Sequence, residues 1–327
     1  MIRSYLDAQP DDFDGRKALA LILSTQGPAL AGLGRPAESE AVLRRASAIQ
    51  DVLLAERPQN VFVLHARSMT HMFLGRALTA LDRLDEAQTE LRSALGLFER
   101  VGAVAPDTPM MRAPRFLAWT ALAEVQRRDG AYEDAIESFL NALTVVDAEL
   151  ARPDPLPRFV GHRGFISLSL ANLLREAGSP RDALRMTASA ETSLSEALAD
   201  DPKNPSWLDA LRKLHWTNAL LHLDLGDPSA SAVDARALHV LAGRDATWQR
   251  TALGLLARSL DASRDAEAAT STHDELMTWI DSLIADGYTD VDDLAGSEHF
   301  AALRGTPAFE ARLADLRRRL APPSGAP

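Results

Sequence analysis

The chain has 327 residues, 46% of them hydrophobic, and a formal net charge of −11, figures that fit a folded protein. The acidic balance argues against a general nucleic-acid binder and against docking on anionic lipid, since both need a basic face. With no cysteine in the chain, disulfides, thiolate catalysis and cysteine-based zinc sites are excluded as well.

The opening stretch, MIRSYLDAQPDDFDG, reaches acidic residues before any apolar run of signal-peptide length. No later stretch approaches the roughly 20 apolar residues that span a bilayer, so a cytoplasmic protein is expected. From Pro10 onward the chain is punctuated at a fixed period. Turn-forming residues stand at Gly34, Asp82, Gly130, Gly178 and Gly226, each 48 residues after the last. Prolines stand on the same grid at Pro10, Pro58, Pro106 and Pro202, and Pro153 and Pro155 flank its vacant point, Asp154. A period of this kind is the mark of a helical-repeat array.

Between the turns the sizes repeat. Seven residues before each turn stand Gly27, Gly75, Ala123, Ala171 and Ala219, and five after it stand Ser39, Ala87, Ala135, Ala183 and Ser231. Twelve residues after the turn come Ala46, Ala94, Ala142 and Ala190, with Leu238 breaking the run. Small side chains at a crossing allow two antiparallel helices to approach to about 8–10 Å between axes. Larger neighbours (Leu74, Leu122 and Leu170, then Leu43, Leu91 and Phe139) fill the space beside them.

Each unit therefore reads as a helix, a tight turn, a second helix and a proline-marked stop, with each helix near 20 residues or roughly 30 Å. Pro28, inside the first helix, should kink it. The expected order is residues 1–10 as the end of a truncated preceding repeat, then five units at 11–58, 59–106, 107–154, 155–202 and 203–250. After Gly226 the phase fails. A degenerate sixth repeat is expected over 251–285, with Ala268 as the small residue of its second helix. Capping helices follow over 286–320, and a disordered tail over 321–327.

These residues resemble the tetratricopeptide repeat. The third unit carries the family pattern at Trp119, Leu122, Ala123, Gly130, Tyr132, Ala135, Phe139 and Ala142. The second carries it at Leu74, Gly75, Leu84, Ala87, Leu91 and Ala94, and the fourth at Leu170, Ala171, Gly178, Ala183 and Ala190. Pro36, Pro180 and Pro228 replace the aromatic residue usual after the turn. The extra length of the units, and the segments DRLDEAQTELRSALGLFER and GYTDVDDLAGSEHFAALRGTPAFEARLADLRRRL, look like the repeat regions of some bacterial serine/threonine protein kinases.

The resemblance implies an all-α, right-handed αα-solenoid with a C-terminal helical cap. It also implies a concave groove lined by the fifth, ninth and twelfth positions of the first helices. Those positions give Met72, Arg76, Thr120, Glu124, Arg127, Asn172, Arg175 and Trp216 as partner-binding candidates. Arg127 and Arg175 could together hold an acidic peptide by bidentate pairing. The Lys and Asn that clamp a C-terminal carboxylate in chaperone-binding members are not reproduced.

No reactive constellation emerges. His162-Arg163-Gly164 lacks the Asp of a kinase catalytic loop, and no DFG, GxSxG or HExxH occurs. The fragment Gly32-Leu33-Gly34-Arg35-Pro36-Ala37 is a repeat turn rather than a dinucleotide loop, since no strand precedes it. His71 and His215 share the repeat position of Trp119, a packing site. The expectation is a non-catalytic adaptor without metal or cofactor, binding a protein or peptide partner and neither nucleic acid nor membrane. The alternative is the regulatory region of a kinase signalling protein whose catalytic domain is absent.

Overall fold

All five grid residues turn left-handed. Gly34, Asp82, Gly130, Gly178 and Gly226 have φ of 72°, 61°, 79°, 78° and 76° in the computed structural model, which describes residues 9–105, 114–263, 265–296 and 298–320. A left-handed residue just past a helix end lets the next N–H reach back to a free carbonyl of the last turn. Arg35, Arg83, Ala131, Ser179 and Asp227 donate in this way to Leu30, Leu78, Gln126, Leu174 and His222 at 2.8–3.0 Å. Asp82 stands where the other four units have glycine, and Asp is among the residues that tolerate this conformation.

Every regular element among the described residues is a helix. The chain divides into two compact units, one up to Phe159 and one from Val160. The first holds three antiparallel pairs: α1 (Phe13–Gly32) with α2 (Pro36–Glu56), α3 (Val61–Ala80) with α4 (Leu84–Val104), and α5 (Pro114–Arg128) with α6 (Tyr132–Leu150). The second holds α7 (Arg158–Glu176), whose first two residues fall in the first unit, with α8 (Pro180–Asp200). Then come α9 (Pro205–Asp224) with α10 (Pro228–Ala242), and α11 (Ala246–Ala262) with α12 (Ala266–Ala285). Asn60 and Asn204, from the proline-marked stops, accept N–H bonds from the first turns of α3 and α9. α1 stays one helix through Pro28, which leaves the Ser24 carbonyl without its usual donor. Residues 1–8, Pro106 and the 321–327 tail lie outside the described residues, as does the side chain of Ala268.

The phase changes at α10. It spans 15 residues where α8 spans 21, because Gly243 (φ 56°, ψ −116°) stops it and Asp245 caps α11 immediately afterwards. α11 therefore begins inside the expected 203–250 unit. Beyond α12, α13 (Val291–Gly296), a 3-10 turn over Glu298–Leu303 and α14 (Pro307–Leu320) complete the second unit. Leu294, Phe300, Leu303, Phe309 and Leu313 join one core with Leu253, Leu256, Leu276 and Ile280. A bidentate ion pair from Arg312 to Asp281 ties α14 to α12.

The grid of small residues is the crossing of each pair. Ala87, Ala94, Ala123, Ala135, Ala142 and Ala171 are all fully buried. A methyl group placed on Gly75 would stand 2.5 Å from Leu91 Cγ and 3.2 Å from the Ala87 carbonyl, and Leu91 is itself buried. Gly96, on the outer face of α4, has nothing within 4 Å.

These two glycines predict opposite signs for one substitution. Alanine is favoured over glycine by about 1 kcal/mol within a helix. At Gly96 nothing opposes that gain, so Gly96→Ala should raise Tm. At Gly75 overpacking of about 1–3 kcal/mol outweighs it, so Gly75→Ala should lower Tm. Shifts of the same sign would refute the crossing geometry.

Two imidazoles predict an acid sensitivity. Burial pushes His65 and His239 below the ordinary value of 6.5, with Glu275 partly opposing it at His239. Neither Nδ1 has a hydrogen-bond partner among the described residues; His65 meets Phe98 edge-on and His239 stacks on Trp279 at 3.8 Å. The unfolded chain then binds protons that the folded chain refuses, so stability falls as pH drops through 6.5. Tm should decline between about pH 7 and about pH 5, and the decline should flatten in a His65→Leu, His239→Phe double variant.

Candidate functional site

The first helices α1, α3 and α5 of the first unit each show one face away from the second helices. Along α3 this stripe runs Phe62, Ala66, Met69, Phe73, Arg76 and Ala80, spacings of four and three that keep one helical face. Phe62 and Arg76 are exposed, while Met69 and Phe73 are half-buried against the Leu74–Leu91–Leu122 core. Between α3 and α5 the surface sinks into a groove of about 390 Å³, lined by Arg76, Thr79, Ala80 and Leu117 and, further along α5, by Thr120, Ala121, Glu124 and Arg128.

Three of the candidates, Arg76, Thr120 and Glu124, therefore come together in one groove. Arg76 has no hydrogen bond or ion pair among the described residues. Thr120 is half-buried and spends its hydroxyl on the Leu117 carbonyl at 3.0 Å. Glu124 accepts two bonds from Arg127, at 2.9 Å from Nε and 2.8 Å from Nη2. Arg128 donates to the Thr79 carbonyl at 2.6 Å and to Asp82 at 3.1 Å.

Met72 is not in the groove. It is 1% exposed, within the core that includes Leu78, Leu95 and Ala118. The reason shows one repeat earlier, where Ser24 holds the same position and its Oγ lies 2.8 Å from Thr70 Oγ1 on the next first helix. The fifth position of α1 thus faces the neighbouring repeat, and Met72 at the same position of α3 is buried. Leu168, again at this position, is buried too.

Arg127 and Arg175 are each paired already. They belong to different units, and each has a carboxylate of its own, Glu124 for the first and Asp224 at 2.7 Å for the second. In the second unit Asn172 Oδ1 accepts from Thr217 at 3.0 Å. Trp216 is 38% exposed there, and Phe165 nearly as much.

Two histidine–carboxylate pairs escaped the sequence pattern. His71 Nδ1 lies 2.5 Å from Glu90, and His215 Nδ1 lies 2.9 Å from Asp234, each across 19 residues from first to second helix. His222 Nε2 faces the other oxygen of Asp234 at 3.6 Å. The equal spacing of 19 was the available signal. Among the described residues no group of three His, Asp or Glu side chains is arranged to hold a metal ion, and no helix is long and apolar enough to cross a membrane.

The fold is tetratricopeptide-like, and solved structures share it. The S. pombe nuclear import adaptor Nro1 matches with a TM-score of 0.56 at 13% identity, over 93% of this chain and 99% of that one. BtubC from P. vanneervenii matches with 0.54 at 14% identity, over 77% and 93%, and the apo form of RapI with 0.51 at 12%, over 92% and 98%. At such identities the likeness concerns the fold alone. No protein-family model matches the sequence, and no curated protein matches it.

Burial separates two neighbours four residues apart on α3. Met72→Ala should cost about 2–5 kcal/mol by opening a core cavity. Arg76→Ala should stay within about 0.5 kcal/mol, since its side chain is exposed and has no partner among the described residues. Urea melts of the two variants measure the contrast, and equal midpoints would contradict the assignment of faces.

Proposed function

We propose that the protein is a non-catalytic cytoplasmic scaffold that holds a peptide or helix of a protein partner in the α3–α5 groove. Arg76 carries the proposal. It is a guanidinium without a partner among the described residues, set on the rim of an open groove beside Leu117, Ala121 and Ala80. A few placed polar groups over an apolar floor are the usual make-up of a recognition surface. Nro1, which shares the fold, is a nuclear import adaptor, and that use of similar architecture supports the same reading here. The likeness of residues 82–100 and 287–320 to kinase-associated repeats supports a second reading, the regulatory region of a serine/threonine kinase signalling protein without its catalytic domain.

Affinity capture from the native host, with wild type beside Arg76→Glu and Ala121→Arg, tests this. Both variants should keep the wild-type Tm and lose the specific partners. Partners that bind all three forms alike would place the site elsewhere. A protein kinase among the partners lost would favour the second reading.

A further inference from the structure

Resting on that scaffold reading, we infer that the groove takes an acidic amphipathic segment. It sets one carboxylate on Arg76 and lays apolar side chains over Met69, Phe73 and Leu117.

Charge selects the occupant. Two guanidiniums line this groove, on Arg76 and Arg128, against the carboxylate of Glu124. Arg127 is held by Glu124 through two hydrogen bonds, and Arg128 reaches Asp82 and a main-chain carbonyl. Two cations against one anion leave one positive charge, and Arg76 bears it without a partner among the described residues. This occurs on a chain whose overall charge is −11. A basic segment would meet that charge directly. A neutral one would cover the guanidinium and strip its water with nothing in return, a cost that grows as the site dries. A carboxylate replaces the lost water with a charge-assisted pair that Arg can form bidentately.

Spacing defines the rest of the segment. Met69, Phe73 and Arg76 lie at i, i+4 and i+7 on one face of α3, so a half-buried apolar strip runs along that face to the cation at the groove, with Met69 about 10 Å from Arg76 along the axis. A two-turn amphipathic helix reproduces the interval, with apolar residues at i and i+4 and an acidic one near i+7. Leu117 and Ala121 form the opposite wall, and Ala121 and Ala80 are small enough to let a partner helix sit close.

The probe is a random peptide library displayed on phage and panned against the intact chain. Selected sequences should carry Asp or Glu one heptad from an apolar pair. The synthetic peptides should lose about ten- to hundredfold in affinity for Arg76→Glu, the size of one charge-assisted bond. Panning on Arg76→Glu should turn the preference towards Lys or Arg. Peptides displaced by Ala121→Arg but indifferent to Arg76→Glu would overturn the acidic assignment and leave the groove standing. Peptides indifferent to both substitutions would overturn the acidic assignment and the groove together. Circular dichroism melts confirm that each variant is folded.

Discussion

The closest approach of paired helices is the constraint on which the other features depend. Where α3 crosses α4, the space for a Cβ on Gly75 is already filled by Leu91, and where α1 crosses α2, Gly27 stands in the same relation to Leu43. Interiors are packed to crystal-like density, so a crossing of this kind admits very little variation in size. It fixes how deep the second helix sits, hence where the next first helix docks and which of its faces stays open. The serines on the grid obey the same limit. Ser39 is buried at the α1–α2 crossing, and its hydroxyl is accommodated because it donates to the Gly27 carbonyl at 2.7 Å.

That constraint is also why so much of the fold could be read from the sequence. A left-handed turn and a crowded crossing each demand a residue type at one position, and both recur every 48 residues because the helices keep their length. Where length changes, the grid loses its meaning. Gly243 stops α10 early, and α11 starts before a period-based boundary would place it. The C-terminal segment packs through Phe300, Leu303 and Phe309, which follow no repeat and have no earlier counterpart to be compared with.

The groove was only partly legible, for two physical reasons. Exposure belongs to a pair of surfaces, and Met72 has the residue type of either a groove or an interface; the neighbouring repeat decides. Charge was concealed by pairing. Glu124 and Arg127 stand three apart on one helix, a spacing at which opposite charges meet. Arg175 and Asp224 stand one period plus one residue apart, which brings them together across adjacent repeats. Each pair is partly exposed, so its contribution to stability is small, about 0–1 kcal/mol. Its larger consequence is to occupy two of the apparent anion-binding residues, while Arg76 keeps no partner among the described residues.

An acidic partner for an acidic protein raises a conflict between the whole molecule and one site, and distance resolves it. At physiological ionic strength the screening length is about 8 Å. Repulsion from any carboxylate farther than that from the groove is largely screened. Arg76 acts at contact distance, where the partner's apolar residues exclude water and the local dielectric falls. The global charge therefore bears on the rate of encounter, and the contact charge on how long the complex lasts. Adding salt relieves the first more than it weakens the second. Association should then quicken with ionic strength while dissociation changes less, the reverse of what attraction between whole molecules would give.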